Sequence, residues 1–213
     1  MKIVIFGATG RTGQLLTESA LDQGHIVTAA VKRPEALEIE HPDLRKIRCD
    51  LFDAAAVAGA VAGQQCILVT VAPAKAIGPT AIFSTGIKNI LAGAKQENVR
   101  RLLVLGSCGI DGDTIIKLHL KLLGGLIVHS LLFGLYIDTA RMEGILEASD
   151  CDWTVVRPPR LTNASAKKSY RVGIGQHLVN VASIPRADVA DAMLKFMDDP
   201  KTHRKWVEVA SNA

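Results

Sequence analysis

The chain has 213 residues, of which 48% are hydrophobic, so it can bury the core of one sizeable domain. The 25 basic and 21 acidic side chains are scattered and leave a net charge of +4, which excludes the dense basic stripe typical of nucleic-acid binding and suits an anionic small molecule better. Four widely spaced cysteines without a C-x-x-C pair or nearby histidines exclude a zinc site and a disulfide framework and indicate reduced thiols: Cys49, Cys66, Cys108 and Cys151.

Short runs rich in Val, Ile and Leu alternate with longer segments of helical period, which predicts parallel strands joined by crossover helices. The predicted strands are 2–6, 26–31, 44–49, 66–71, 101–105 and 152–156, and the predicted helices are 12–23, 54–62, 80–97 and 139–149. Gly7 interrupts the first apolar run after four residues, which is too short for a secretory signal, so we expect a cytoplasmic protein.

The last quarter of the chain is less regular. It predicts short strands at 168–174 and 178–184, a helix at 186–197 and a final strand at 206–210. Arg186 and Asp188 open that helix and are interpreted as structural, because an acidic side chain in the first turn complements the helix dipole. No repeat or linker is present, so we expect one domain over residues 1–213.

A glycine-rich turn follows the first strand directly and leads into the first helix. It reads Gly7-Ala8-Thr9-Gly10-Arg11-Thr12-Gly13, with the spacing G-x-x-G-x-x-G. Glycines at these places permit a tight turn, close approach of backbone N–H groups to a pyrophosphate, and close packing of helix on strand. The turn therefore predicts a dinucleotide site in an α/β, Rossmann-type doubly wound parallel sheet with three αβα layers.

A basic pair, Lys32-Arg33, follows the second strand where an NAD-binding protein places a carboxylate on the ribose. Cationic side chains would neutralise a 2′-phosphate, so the pair favours NADP(H), although such a pair is also an ordinary solvated surface feature. Asp50, at the end of the third strand, is a candidate acceptor for the adenine amino group or a simple turn residue.

Residues 122–137 contain no Asp, Glu, Lys or Arg. A membrane span needs about 20 apolar residues, and this run is shorter and contains Gly124, Gly125 and His129, so no membrane span is expected. We expect a helical excursion at 111–137 that is buried or forms an oligomer surface, in a monomer or small homo-oligomer. An alternative is that the excursion recruits a partner or a membrane.

Several segments together resemble those of a known family. GATGRTG at 7–13, the basic pair, CDLFD at 49–53, VLGSCG at 104–109, WTVVRPPRL at 153–161 and IPRADVADAM at 184–193 look like the atypical short-chain dehydrogenase/reductases, and within them the small biliverdin reductase and flavin reductase group. The resemblance covers most of the chain. It implies a reductase that uses a nicotinamide dinucleotide.

The resemblance also implies which residues contact the cofactor. Thr9 to Thr12 would hold the pyrophosphate, Val71 and Ala72 would pass beneath the cofactor, and the turn from Arg157 to Arg160 would face the carboxamide and the substrate opening. The cofactor-binding residues assigned in this way are Gly7, Ala8, Thr9, Gly10, Arg11, Thr12, Gly13, Lys32, Arg33, Asp50, Leu51, Val71, Ala72, Ser107, Arg157, Pro158 and Pro159.

The catalytic candidates are Ser107, Arg160 and Tyr136. Ser107 would position the reacting ring, unless its hydroxyl bonds only local backbone, and Arg160 would attract substrate carboxylates or phosphate. Arg157 has the alternative of a structural ion pair. Tyr136 is followed by Ala140, with Arg141 one position later, so the Tyr-Lys pair typical of short-chain dehydrogenases is not readable.

Two functions from different classes fit these residues. The first is an NADPH-dependent oxidoreductase that delivers hydride to a flavin-like, tetrapyrrole or other conjugated anionic small molecule, which needs orientation and electrostatics more than acid/base groups. The second is a non-catalytic NADP(H)-binding sensor or regulatory protein, which the missing Tyr-Lys pair would permit.

Overall fold

The computed structural model describes residues 1–72, 80–108 and 126–212, apart from the side chains of residues 126–133 and 136. The strands in this part of the chain are β1 (Lys2–Phe6), β2 (Ile26–Val31), β3 (Leu44–Arg48), β4 (Cys66–Val69), β5 (Arg101–Leu105), β6 (Asp152–Arg157), β7 (Arg160–Thr162), β8 (Tyr170–Ile174), β9 (Ser183–Pro185) and β10 (Lys205–Ser211). The α-helices are α1 (Arg11–Asp22), α2 (Ala54–Val61), α3 (Ile82–Gln96), α4 (Leu126–Glu147) and α5 (Arg186–Met197).

Eight strands form one sheet in the order β3-β2-β1-β4-β5-β6-β10-β8. All neighbours are parallel except β8, which pairs antiparallel with β10 at the edge. The chain order reverses between β1 and β4, and in open parallel sheets ligands bind in the crevice beyond the carboxyl ends of the strands at this reversal. The predicted doubly wound Rossmann-type sheet is confirmed.

Helices cover both faces of the sheet, because its central strands are apolar on both sides. On β1, Ile3 and Ile5 face the layer of α1 and α5, whereas Val4 and Phe6 face the layer of α2, α3 and α4. Successive strand residues point to opposite faces, so one continuous apolar run supplies two cores. The three predicted layers are therefore present.

The boundaries of β1, β2, β5 and α5 agree with the prediction. The helix predicted at 139–149 begins much earlier, at Leu126, because the apolar run before residue 139 continues it. The strand predicted at 178–184 is wrong over most of its length. Only Ser183–Pro185 is extended, and it pairs in parallel with β7 in a separate two-stranded sheet that was not predicted.

Residues 111–125 of the predicted excursion lie outside the described residues, and residues 126–137 belong to α4. Among the helices of the described part, none is both long and apolar enough to cross a membrane.

Candidate functional site

A groove runs along the carboxyl ends of β1, β2, β4 and β5, where the chain order reverses. It consists of two adjoining cavities, which we call the β2-side cavity, of about 430 Å³, and the β5-side cavity, of about 350 Å³. Gly10 and the segment Thr70 to Ala72 line both, so they form one continuous groove. An extended ligand can therefore occupy both halves at once.

The glycine turn forms the floor of the groove at this junction. Gly7 has a φ of +87°, which only glycine adopts without strain, and a Cβ there would lie 2.9 Å from the carbonyl carbon of Thr70. A Cβ on Gly13 would lie 2.2 Å from the carbonyl oxygen of Gly7. The backbone of the turn is thus packed directly against helix α1 and the end of β4.

Thr70 fastens this turn to the sheet, a role that sequence reasoning missed. Its hydroxyl donates to the carbonyl oxygens of Phe6 (3.2 Å) and Gly7 (3.3 Å). A threonine at the end of a buried apolar strand, just before the predicted Val71-Ala72 pair, was the only signal in the sequence. Val71 and Ala72 themselves line both cavities, where the resemblance implied a path beneath a cofactor.

Helix α1 begins at Arg11, at the edge of the groove. Gly10 precedes it without a side-chain cap, and its first turn contains no acidic residue. The first N–H groups of a helix lack intrahelical acceptors and carry partial positive charge, so this end of α1 favours an anion. Of the predicted turn residues, Gly7, Thr9 and Gly10 line the β2-side cavity, whereas Gly10, Arg11 and Thr12 line the β5-side cavity.

The predicted basic pair lines the β2-side cavity. Lys32 Nζ lies 3.1 Å from Asp50 Oδ2 and 5.7 Å from the ring centroid of Phe52, so its charge is already engaged. Arg33 is exposed, and among the described residues its guanidinium has no hydrogen-bond or ion-pair partner. The two cations, which look alike in sequence, therefore differ in availability.

Asp50 is held in place by contacts with residues close to it in the fold. Its Oδ1 accepts a hydrogen bond from the Phe52 N–H (3.1 Å), and this bond, followed by the contacts with Lys32, lowers the pKa of the carboxyl. The sequence left two roles open for Asp50, and these contacts favour the role of a turn residue over that of an adenine acceptor. Leu51, by contrast, is buried and lines the β2-side cavity.

The β5-side cavity is mostly apolar. Leu105 and Ser107 enter it from the end of β5, and Ser107 is exposed, with its hydroxyl donating weakly to the carbonyl of Cys108 (3.2 Å). Phe83, Leu135, Thr139, Met142 and Leu161 complete much of the wall. Ser107 thus supplies an exposed, reorientable hydroxyl beside a mostly apolar wall.

The other two catalytic candidates, Arg160 and Tyr136, are not among the described residues that line the β5-side cavity. Arg160 is exposed at the start of β7, and it is the next residue, Leu161, that lines the β5-side cavity. Tyr136 lies on α4, but its side chain is outside the described residues.

Arg157 lies beneath the site, on β6. Its side chain is 5% exposed, its Nε donates to Glu143 Oε1 (3.1 Å), and its guanidinium carbon lies 4.8 Å from the ring centroid of Trp206. These contacts favour the structural ion pair, the alternative left open by the sequence.

The turn that follows Arg157 is hydrogen-bonded to the segment after β5, because the Pro158 carbonyl accepts from the Cys108 N–H (3.0 Å). Pro159 lines neither the β2-side nor the β5-side cavity.

Arg186 was interpreted from the sequence as structural, but it lines the β5-side cavity. Nothing in its local sequence distinguishes it from a helix-opening residue, because its place depends on how α5 packs against α1. Asp188 keeps the structural role: its carboxylate accepts from the backbone N–H groups of Lys167 and Lys168.

Asp138 supports the wall of the β5-side cavity from below. It is fully buried on α4, and its carboxylate accepts hydrogen bonds from the N–H groups of Phe83 (2.9 Å) and Ser84 (3.1 Å) at the start of α3. Phe83 and the adjacent Thr139 both line the cavity. Asp138 therefore fixes the two helices that shape it.

We expect Asp138→Ala to lower the free energy of unfolding by about 2–4 kcal/mol, because two helix N–H groups lose their acceptor in a buried place. Urea unfolding followed by circular dichroism measures this change. Glu147→Ala, an exposed substitution on the same helix, serves as the control and should stay within about 0.5 kcal/mol of the wild type. Equal midpoints for Asp138→Ala and the control would contradict the assigned role.

Metal and thiol chemistry receive no support from the described residues. Within them, no group of three His, Cys, Asp or Glu side chains is placed to hold a metal ion. None of the four cysteines is joined in a disulfide, and burial raises the pKa of Cys49, which lines the β2-side cavity, to about 11. That thiol is neutral at physiological pH and is a poor nucleophile.

Comparisons with known proteins agree with this geometry. YwnB, an uncharacterized protein of Bacillus subtilis, is 26% identical to this chain over the whole length of both. The oxidoreductase ylbE from Lactococcus lactis has the same fold, with a TM-score of 0.80 at 20% identity, covering 100% of this chain and 91% of its own. A short-chain dehydrogenase/reductase of Veillonella parvula, solved in complex with NADP, gives a TM-score of 0.76 at 20% identity, covering 100% and 95%.

At these identities the solved structures establish the fold alone. A family match goes further, because it spans residues 7–200, from the glycine turn to the end of α5 and beyond. The chain belongs to the NAD(P)H-binding family.

Proposed function

We propose that this protein is an NADPH-dependent reductase of a flavin-like, tetrapyrrole or other conjugated anionic small molecule. The observation that carries the proposal is the groove itself. At one end Arg33 has no partner among the described residues, and at the other a mostly apolar cavity contains the exposed hydroxyl of Ser107. The glycine turn at the junction lets a pyrophosphate come close to the backbone N–H groups of the protein.

The β2-side cavity supports NADPH over NADH. The two residues that follow β2 are Lys32 and Arg33, so no carboxylate stands there to bind a free ribose 2′-hydroxyl. The Asp50 carboxylate is paired with Lys32, which reduces its repulsion of a phosphate. Arg33 then offers an unshared guanidinium for charge-assisted hydrogen bonds to a 2′-phosphate.

The β5-side cavity supports a flat, conjugated acceptor. Its mostly apolar wall can pack against a ring system. The reduced dinucleotide supplies a hydride when bound. Ser107 donates a hydrogen bond to a ring heteroatom, so it orients the acceptor and stabilises charge that develops there.

Acid/base catalysis of alcohol oxidation receives no support from these residues. Four residues after Tyr136 stands Ala140, so the lysine that would lower a phenol pKa is missing. A conjugated acceptor can take its proton from water after hydride arrives. This absence therefore favours reduction of a conjugated ring over alcohol chemistry.

The direct test incubates the purified protein with NADPH and a panel of flavins, quinones and biliverdin, and follows NADPH absorbance. We expect oxidation with at least one acceptor. We also expect Ser107→Ala to reduce kcat about tenfold while the Kd for NADPH stays unchanged, because one hydrogen bond contributes about 1–1.5 kcal/mol. Ser19→Ala, on α1 and away from the groove, is the matched control.

Measurable NADPH binding without oxidation of any acceptor would contradict the proposal and favour a nucleotide sensor of the same fold. A Ser107→Ala variant that weakens NADPH binding and leaves kcat unchanged would place Ser107 in cofactor binding alone.

A further inference from the structure

A cationic cleft adjoins the β5-side cavity on the side away from the β2-side cavity. It has a volume of about 560 Å³ and lies between α1 and the segment 162–166. Arg11 and Arg186 line both the cleft and the β5-side cavity, so the two spaces adjoin at these side chains. The other polar side chains of its wall belong to Gln14, Thr162, Asn163 and Ser165, and no acidic residue is among the described lining residues.

No carboxylate of the described residues forms an ion pair with the guanidinium of Arg11 or of Arg186. Arg186 Nη1 donates to the amide oxygen of Asn163 (2.6 Å), which carries no charge. Arg11 is exposed and makes no hydrogen bond or ion pair with the described residues. Desolvation, and then the positive charge of Arg11, lower the pKa of Arg186. The nearby Asp188 is occupied by backbone N–H groups.

An anion between Arg11 and Arg186 would be attracted by both positive charges and accept several charge-assisted hydrogen bonds. Away from these two arginines, the β5-side cavity is mostly apolar and accommodates a ring system. The combined shape is complementary to an amphipathic molecule, with a flat body in the cavity and a charged tail in the cleft.

We propose that the cleft formed by Arg11 and Arg186 binds the phosphate or carboxylate tail of the substrate whose conjugated body occupies the β5-side cavity. This inference rests on the proposed function, and it narrows the substrate to acceptors with an anionic side chain attached to the ring. Arg186 is the specific determinant. It lines the β5-side cavity and the cleft but not the β2-side cavity, whereas Arg11 is also close to the glycine turn.

The test measures binding instead of turnover, so that it does not depend on the reaction. The full chain is saturated with NADP⁺ and titrated with flavin mononucleotide and with riboflavin, which share a ring system and differ by one phosphate. Quenching of flavin fluorescence reports the Kd. We expect the phosphate-bearing flavin to bind tenfold or more tightly than riboflavin, because charge-assisted bonds to phosphate are roughly twice as strong as neutral ones, on the order of a tenfold gain each.

Arg186→Gln should abolish this preference and leave riboflavin binding unchanged, whereas Arg186→Lys should retain much of it. Glutamine can still hydrogen-bond to Asn163, and a thermal melt of each variant verifies folding. Arg45→Gln removes an equal charge from an exposed position on β3 and should change neither Kd.

Three outcomes would overturn the inference. The first is equal affinity for the two flavins in the wild type, or no binding of either. The second is a preference that survives in Arg186→Gln. The third is an Arg186→Gln variant that loses NADP⁺ affinity, which would mean that the arginine serves the cofactor. NADPH oxidation, measured separately with the same flavins, decides the proposed function independently of these results.

Discussion

Replacing Arg33 with alanine should weaken NADPH binding about 10- to 100-fold and leave NADH binding within about twofold. The reason is that charge-assisted hydrogen bonds to a phosphate contribute about 1.5–3 kcal/mol, and only NADPH carries the 2′-phosphate. Arg33 is the member of the basic pair without a partner among the described residues. Isothermal titration of both nucleotides into wild type and variant measures the effect.

Two further variants make this experiment sharper. Arg45→Ala removes an arginine from an exposed position on the edge strand and should leave both affinities unchanged. Lys32→Ala should reduce NADPH affinity less than Arg33→Ala, because Lys32 already shares its charge with Asp50. An equal loss of NADPH and NADH affinity in Arg33→Ala would show that Arg33 contacts a part common to both nucleotides.

Replacing Gly13 with alanine should abolish measurable nucleotide binding and lower the free energy of unfolding by about 1–3 kcal/mol. The added methyl group would lie 2.2 Å from the carbonyl oxygen of Gly7 and 2.9 Å from the Cα of Ala8. Both are backbone atoms, so the turn itself must move, and its N–H groups lose their alignment toward a pyrophosphate. Nucleotide titration and urea unfolding measure the two effects.

Gly59→Ala is the matched control, since Gly59 lies inside helix α2 and a Cβ there meets no atom within 4 Å. It should bind nucleotide normally and be more stable than the wild type by about 0.5–1 kcal/mol, because alanine restricts the unfolded chain and favours helix. A Gly13→Ala protein that binds NADPH as well as Gly59→Ala would contradict the assigned packing of the turn.

The sequence predicted the central sheet and the glycine turn well, because both depend on local patterns. On β1 the run from Ile3 to Phe6 is apolar at every position, which is typical of a strand buried on both faces. The turn lies between that strand and α1 with glycines at the required spacing. These features need no knowledge of distant residues.

Features that depend on tertiary packing were not predictable. The expected helical excursion and the helix predicted at 139–149 form one helix from Leu126 to Glu147, which was not predicted because an apolar run without charges shows no helical stripe. The pairing of β7 with β9 joins two short segments whose sequences do not indicate partners. Likewise, Asp138 acts on backbone atoms 54 and 55 residues earlier in the chain, so no spacing rule could identify it.

For the charged residues, too, position could be predicted from the sequence, whereas their partners depend on tertiary packing. Lys32 and Arg33 are adjacent and chemically similar, yet only the fold shows that Asp50 contacts Lys32, whereas Arg33 has no partner in the described part of the chain. For Arg157 the sequence left open a cofactor contact or a structural ion pair, and only the fold shows its pairing with Glu143. Arg186 was interpreted as structural, whereas in the fold it lines the β5-side cavity. Sequence can nominate cations near a site, but their partners decide which of them are available to a ligand.

The most direct test of this account is a calorimetric titration of the wild-type chain with NADPH and with NADH under identical salt. The groove and the unpartnered Arg33 predict saturable binding of one nucleotide per chain, with NADPH bound at least about tenfold more tightly, as one charge-assisted contact would give. No heat of binding with either nucleotide, or tighter binding of NADH, would contradict it.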